Sequence, residues 1–369
     1  MKYIKIKDIL EFKKKSKIKA SEGLKIGKYN FYTSSKEQNK FLDYYEYSNE
    51  ALIIGTGGNA NIHHSYGKFS VSTDCFVLEN KNNKIFLIEY IYKYLLKNIH
   101  ILENGFRGAG LKHISKEYLE NIEIPIISIE KQRKLIKNLK KIDIFIDKNK
   151  QIKNELNFFN KSLFTKIFGD IRINNKNWKI KKIGEVVETQ YGTSKKASAE
   201  FSNGIPILRM NNIRYSGEMD YEDLKYIKLD NNEKEKFLLK KGDLLFNRTN
   251  SKELVGKTGL FNLDTPMVFA GYLIRIKPSR QVNSKFLLFF MNSEFMKKVL
   301  YNKAKNIVGM ANINAKELED FSIILPPIEL QNKFAERTEK IEKLKFEIEK
   351  SIEIAQNLYD SLISKYFDD

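Results

Sequence analysis

The chain has 369 residues, 42% of them hydrophobic and 12% aromatic, enough to bury a sizeable core and too many for a disordered basic tail. Its 65 Lys and Arg against 46 Asp and Glu leave a formal charge of +19, which favours polyanionic partners, although a Lys-, Ile- and Asn-rich composition also follows from an A·T-biased genome. The single cysteine, Cys75, excludes an internal disulfide and a cysteine-built zinc site, and no apolar run reaches the roughly 20 residues of a membrane span or forms a signal-peptide core, so a cytoplasmic location is expected.

The first segment opens on YIKIKDIL at Tyr3. It continues in short β-rich runs, ALIIGTGGN from Ala51 and FSVSTDCFVL from Phe69, before a short helix, IFLIEYIYKYLL, after Lys84. GTGGN, Gly55 to Asn59, reads first as a turn needing positive φ and second as a loop able to approach a phosphate backbone. Polar clusters accompany the strands: Tyr32, Ser34, Ser35 and Lys36; then Asn59, Asn61 and His63; then Arg107 and Lys112 beside a closing turn at Gly110. From about residue 128 to 168 no Gly or Pro interrupts a heptad pattern, which predicts a helix about 60 Å long. Leu135, Ile142, Asn149, Leu156 and Leu163 form one seam row, and Phe145, Ile152 and Phe159 are expected to form the second.

The second segment begins WKIKKIGEVV at Trp178. It carries β-rich runs at GIPILRM from Gly204, GDLLFNR from Gly242 and FAGYLIRI from Phe269, then a short helix, SKFLLFFMNS, after Asn283. Its polar clusters are Lys195 and Lys196; Arg209, Asn211, Asn212 and Arg214; and Arg248, Asn250 and Lys252. Arg can grip guanine O6 and N7, Asn can pair with adenine N6 and N7, and lysine-bearing loops hold phosphates. Any one cluster is more often a solvated loop than a reader; their placement after strands in both segments is the signal. A turn at Gly309 leads to a second uninterrupted helix from 327 to 367, with Phe334, Ile341, Ile348, Ala355 and Leu362 in one row and Leu330, Leu344 and Leu358 in a weaker one.

The strongest feature is an internal repeat. Residues 111–170 and 310–369 align over 60 positions without a gap at an offset of 199, with 15 identical pairs, among them Leu119/Leu318, Gln132/Gln331, Phe168/Phe367 and Asp170/Asp369. The order is therefore domain, helix, domain, helix, and two in-phase helices separated by a domain most simply pair with each other.

Catalytic motifs fail on their context. Phe106, Gly108 and Gly110 spell the F-x-G-x-G of a methyltransferase cofactor loop, but no buried strand precedes them and no N/D-P-P-Y/F tetrapeptide follows. Gly256, Lys257 and Thr258 form a GKT, yet Ser251 stands where a phosphate-cradling loop needs glycine. His63, His64, His100 and His113 lack zinc-site spacing, and no serine sits in a nucleophile elbow. The chain reads as a binding protein.

The sequence resembles the specificity subunit of type I restriction-modification systems, HsdS. The resemblance rests on Trp178 to Gly184, on Gly204-Ile-Pro-Ile-Leu-Arg209, on Lys241-Gly-Asp-Leu-Leu245, and on Leu318 to Gln331 leading into the second helix. In the first half, Ile127 and Ser128 stand where a Pro-Pro pair belongs. The resemblance implies an α+β fold with two α/β target recognition domains in tandem, each followed by a long helix. The two helices would form an antiparallel coiled coil with pseudo-two-fold symmetry. The implied division is a first recognition domain over 1–125, a spacer helix over 126–170, a linker over 171–177, a second recognition domain over 178–325 and a second spacer helix over 326–369. It also implies no catalytic residues, no metal and no cofactor bound by this chain. The expected partners are double-stranded DNA, two adenine-N6 methyltransferase subunits using S-adenosylmethionine, and restriction subunits using ATP with Mg2+ where present. A coiled-coil protein scaffold with incidental basicity, a specificity subunit of another methyltransferase class, and a lone methyltransferase or nuclease are the competing readings.

Overall fold

A computed structural model describes residues 2–81, 85–199, 203–307 and 310–367, with the backbone alone at 305–307. Lys84, the turn at Gly309 and the terminal Asp369 of the repeat lie outside these residues. The chain divides into two units, one made of 1–150 with 349–369 and the other of 151–348. Each unit holds one strand-rich domain and a part of both long helices.

In the first unit a four-stranded antiparallel sheet runs in the order Leu10–Phe12, Cys75–Asn80, Ala51–Gly55 and Ile62–Ser65. A three-stranded sheet follows the order Lys40–Leu42, Tyr29–Tyr32 and Phe69–Val71, its last pair parallel. Tyr3–Lys5 pairs with Glu123–Pro125, tying the domain's entry to its exit. The central strand Ala51–Gly55 is buried throughout because both its faces meet a core. Leu52 and Ile54 join the main core, while Ala51 and Ile53 join a smaller one with Phe69 and Val77. Helix α1, Ile88–Lys97, lays Ile88, Ile91 and Leu95 on that main core.

The second unit repeats this plan. Its four-stranded sheet runs Val187–Tyr191, Leu273–Pro278, Leu244–Asn247 and Thr258–Leu260, and its three-stranded sheet runs Lys225–Ile227, Ile205–Leu208 and Val268–Phe269, again with the last pair parallel. Lys179–Lys182 pairs with Ser322–Leu325 as the entry–exit tie. The two domains therefore share one topology although their surfaces have diverged.

The long helices are α2, Ile129–Phe168, and α4, Ile328–Phe367. In the first unit, Leu135, Ile136 and Leu139 near the start of α2 share a core with Ile363 and Phe367 at the end of α4. In the second unit, Leu163, Phe164 and Phe168 at the end of α2 share a core with Phe334 and Ile341 near the start of α4. Start meets end in one unit and end meets start in the other, the order of an antiparallel pair.

The first seam row is largely as expected: Leu135, Leu163, Phe334, Ile341, Ile348 and Ala355 are buried, while Ile142, Asn149, Leu156 and Leu362 are half-buried. The second row is corrected. Phe145, Ile152 and Phe159 are 46%, 43% and 55% exposed, and Leu344 and Leu358 are 50% and 56% exposed. The inward row instead follows the first by four residues: Gln132, Leu139, Ile146 and Asn160 on α2, with Gln331 and Thr338 on α4, are all buried. Residues three and four positions from a seam row lie on adjoining faces of a helix, so apolar Phe145 and Phe159 outweighed polar Asn160 in the sequence pattern.

Helix α3, Ser284–Met291, takes the place of α1 in the second unit. The repeat's glutamines anchor both. Gln132 is fully buried; its Oε1 accepts from the Leu87 N–H at the start of α1 at 2.9 Å, and its Nε2 donates to the carbonyls of Ile85 and Ile127 at 2.9 and 3.0 Å. Gln331 does the same for Asn283 N–H at 2.9 Å and for the carbonyls of Gln281 and Pro326 at 3.2 and 2.8 Å. Substituting Gln331→Leu orphans one donor and two acceptors, each costing about 1–3 kcal/mol when buried. A loss of about 3 kcal/mol or more is expected by urea unfolding monitored through Trp178, against less than about 0.5 kcal/mol for the exposed neighbour Lys333→Ala.

Candidate nucleic-acid interface

In the first unit three loops meet at one end of the sheets. The exit of Tyr29–Tyr32 supplies residues 33–36, the Ala51–Gly55 to Ile62–Ser65 connection supplies 56–61, and a hairpin of Phe106–Arg107 with His113–Ile114 supplies the third. Ser34 Oγ donates to the Gly57 carbonyl at 2.5 Å and accepts from the Gly57 N–H at 3.2 Å. His113 Nδ1 donates to the Thr56 carbonyl at 3.1 Å, and the Gly58 N–H donates to the Lys112 carbonyl at 3.3 Å. Gly58 has φ +78°, the left-handed turn expected of GTGGN. His63 Nε2 donates to the Ser35 carbonyl at 2.7 Å, and burial pushes its pKa down despite that bond, so the ring is neutral at pH 7.

These contacts sort the sequence candidates. Ser35, Lys36, Asn59, Arg107 and Lys112 are exposed on the joined loops. Tyr32 and Asn61 are not available as readers: Tyr32 belongs to the small core, and Asn61 lies under the loops with its Nδ2 donating to the Asn59 carbonyl at 2.9 Å. Ser34 and His63 are half-buried supports of the same loops. Leu111, 79% exposed at the hairpin tip, escaped the sequence reading because it is apolar.

In the second unit the equivalent loops are 191–196, 209–214, 248–252 and 270–272. Thr249 and Asn250 pair with Asn312 and Ala311. The Arg248 guanidinium lies 4.9 Å from the Tyr191 ring centre and donates to Asn312 Oδ1 at 3.3 Å and to the Gly271 carbonyl at 3.5 Å. Asn250 Oδ1 accepts from the Ser251 N–H at 2.8 Å, and Lys252 Nζ sits 4.6 Å from the Tyr301 ring centre. Lys195 pairs with Glu233 at 2.5 Å, leaving Lys196 as the exposed cation of its loop.

The RMNNIR cluster is largely a self-contained turn. Asn212 is 2% exposed; its Oδ1 accepts from the Arg209 N–H at 2.8 Å and its Nδ2 donates to the carbonyls of Asp220 and Asp223 at 2.9 and 3.1 Å. Arg209 is paired with Asp223 at 2.9 Å, and Arg214 with Asp220 at 3.1 Å. The Glu222 N–H first, and Arg214 after it, hold Asp220 below the usual carboxylate range. Asn212 therefore corrects to a structural residue, and Asn211, exposed beside it, is the group free to meet a base edge. Tyr191, Tyr215 and Tyr272, 43%, 55% and 54% exposed around these loops, were missed because aromatic residues in β-rich runs read as core. Lys297 was missed as well: its Nζ lies 3.6 Å from the Tyr215 ring centre, and burial, then Lys161, lowers its pKa to about 8.

Among the described residues no group of three or more His, Cys, Asp and Glu could hold a metal ion, and no helix is long and apolar enough to cross a membrane. Cys75 is 1% exposed, and burial pushes its thiol up to about 11, away from nucleophilic use. What the two loop platforms offer is exposed cations, amide and hydroxyl donors, and aromatic faces. These are the groups that grip phosphates and read base edges.

The Asn212→Ala variant is expected to lose about 3 kcal/mol of stability, since it leaves two carbonyls and an N–H without their partner. Asn211→Ala should leave stability within about 0.5 kcal/mol, and paired urea titrations separate the two.

The chain matches the family described as the type I restriction modification DNA specificity domain over residues 1–157 and again over 175–356. It is 28% identical over 317 residues to the type I restriction enzyme MjaVIII specificity subunit of Methanocaldococcus jannaschii, covering 80% of this chain and 73% of that protein. It is 26% identical to the EcoKI specificity subunit of Escherichia coli, covering 70% of this chain and 60% of the relative. The crystal structure of the type I S subunit from M. genitalium shares its fold with a TM-score of 0.67 at 14% identity, over 100% of this chain and 96% of that one. A chain from a study of complex assembly and conformational transition of the type I restriction-modification system gives 0.57 at 14% identity, over 99% and 97%. With the family's domain present twice, on two copies of one topology, the chain belongs to the type I restriction-modification DNA specificity family, that of the specificity subunits.

Proposed function

We propose that the chain binds double-stranded DNA through its two loop platforms, each reading one half of a bipartite site, and seats adenine-N6 methyltransferase subunits on that site. The observation that carries this reading is the duplication of one loop platform on one topology, each copy with exposed cations and donors of its own. These are Lys36, Asn59, Arg107 and Lys112 in one unit, and Lys196 and Asn211 in the other, with Lys252 partly exposed. A duplicated reader on a paired-helix spacer suits a target of two specific half-sites separated by unread base pairs. Lysines supply salt-dependent grip, and the fewer Arg and Asn side chains supply discrimination.

The long helices support the second half of the proposal. Ile144, Phe145, Ile354 and Leu358 in the first unit, and Ile152, Phe158, Phe159 and Leu344 in the second, are between 43% and 71% exposed. Apolar side chains left outward on helices this charged suit protein docking, here of the methyltransferase subunits. S-adenosylmethionine would be bound by those subunits, and ATP with Mg2+ by restriction subunits where the assembly includes them. Such an assembly acts on chromosomal DNA in the cytoplasm, where the lone buried thiol of Cys75 stays reduced.

Sequencing methylated adenines in cells that carry this chain with its methyltransferase is expected to show one bipartite motif. Methylation with no sequence preference would sink the reading. In vitro, the Lys36→Ala, Arg107→Ala, Lys112→Ala triple variant should lower the slope of log K against log salt by about one unit for each phosphate contact removed. A slope equal to that of the unaltered complex would place the DNA elsewhere.

Residues 1–170 alone should self-associate. Phe164 and Phe168 of a second copy occupy the repeat positions of Ile363 and Phe367, which complete the core around Tyr90 and Leu139. Sedimentation showing a well-folded monomer would contradict this.

A further inference from the structure

The glutamine anchors fix which residues of the two halves correspond. Gln132 caps α1 at Leu87 and Gln331 caps α3 at Asn283, so position 89 corresponds to 285 and position 93 to 289. On the long helices the repeat offset of 199 matches Lys140 with Glu339 and Asp143 with Glu342.

At these corresponding places the chemistry is inverted. In the first unit the carboxylate of Glu89, a side chain 10% exposed, meets Lys140 at 2.6 Å. In the second, Lys285, 9% exposed, meets Glu339 at 3.7 Å and Glu342 at 2.5 Å. One turn along, Lys93 donates to the Tyr359 hydroxyl at 2.7 Å and pairs with Asp143 at 3.2 Å. Its counterpart Phe289 packs instead against Phe164 and Phe334, with ring centres 6.1 and 5.0 Å away.

We infer that positions 89 and 93, and their counterparts 285 and 289, form a key that fits each recognition domain to the seat on its own long helix and excludes it from the corresponding seat of the other half. Moved to the second seat, the first domain sets Glu89 against Glu339 and takes Lys93 from the Tyr359 hydroxyl to a place beside Phe164 and Phe334, with Glu342 standing where Asp143 was. Moved to the first seat, the second domain sets Lys285 against Lys140 in the place of Glu339, and keeps only the shorter Asp143 in the place of Glu342. A like charge set against a nearly buried one is costly, because the buried member, Glu89 or Lys285, cannot turn fully to water. Topology, glutamine anchor and Phe168/Phe367 are shared, so without the key the seats would be interchangeable. A recognition domain is therefore exchangeable between halves only together with its helix as far as residue 143 or 342. This goes beyond the DNA-reading proposal and is measured without DNA.

The test is a full-length chain in which residues 178–325 replace 1–126, placing a second copy of the second domain on the first seat. Hydrogen exchange is followed in the helix lying on α2. In the exchanged chain that helix is expected to exchange faster than Ile88–Lys97 does in the native chain, and Lys140→Glu should slow it by about two- to tenfold. In the native chain the same Lys140→Glu substitution should speed exchange of Ile88–Lys97 by a similar factor, because a second carboxylate then faces Glu89. Opposite signs in the two contexts support the key; the same sign in both, or no effect in either, overturns it. Should the exchanged chain not fold, the native chain decides. Glu89→Lys and Lys140→Glu should each speed exchange of that helix, and the double variant should recover it. Absence of recovery overturns the key.

Discussion

Two buried glutamines hold this architecture together. Each recognition domain touches its long helix through a helix N-terminus whose leading N–H has no partner within its own helix. The side-chain amide of Gln132 or Gln331 accepts from it and donates to two loop carbonyls, one on each side of the junction. A fully buried amide that satisfies three backbone groups fixes position and orientation at once, because any displacement orphans all three. The aromatic contacts then fall into matching places: Tyr90 on Phe367 at 5.4 Å in one unit, and Phe286 on Phe168 at 4.8 Å in the other. Everything outward of this joint, from the sheets to the polar loops, inherits its geometry.

The seam between the helices obeys a different logic. One row is apolar almost throughout, and the other admits Gln132, Asn160, Gln331 and Thr338, each buried. Two of these four are the glutamine anchors, and Thr338 satisfies its hydroxyl within its own helix, on the Ala335 carbonyl at 2.8 Å. Polar seam positions lower stability relative to an all-apolar core but oppose slipped registers, in which a buried amide would lose its partners. A helix pair on which both domains are anchored needs one register more than it needs maximal stability. The apolar side chains displaced from the seam, such as Phe145 and Phe159, end up outward and available to other proteins.

The sequence carried the repeat, both long helices and the order of domains, because 60 gapless positions and unbroken heptads survive surface divergence. It carried only one seam row: a polar Asn160 facing in and an apolar Phe159 facing out invert the usual pattern. The polar clusters do fall on joined loops in each unit, yet polarity alone could not separate residues that build a loop from those that project from it. Asn211 and Asn212 show this well. They are adjacent and chemically identical, but one is exposed and the other is consumed by the carbonyls of Asp220 and Asp223. The partner carboxylates of Arg209 and Arg214 lie 14 and 6 residues away, and the pairing is set by how the turn closes.

Beneath the loops the two domains solve one packing problem in different ways. Gly55 faces Cys75 across its sheet, and Asn247 faces Leu273 at the corresponding place. In the first unit the glycine makes room for a neighbour's amide: a Cβ on Gly55 would lie 2.4 Å from Asn61 Oδ1. In the second the amide is carried by the strand residue itself, Asn247, which is fully buried. Both amides keep a polar atom without a hydrogen-bond partner among the described residues, Oδ1 of Asn61 and both polar atoms of Asn247. Such groups each cost on the order of 1–3 kcal/mol, so neither unit is optimised for stability directly under its polar loops. The invariant part of each domain is the glutamine joint on the long helix; the part free to change, and burdened with unsatisfied polarity, lies at the opposite limit of the sheet, where the loops begin. That division lets the loops diverge while the joint keeps each platform in place.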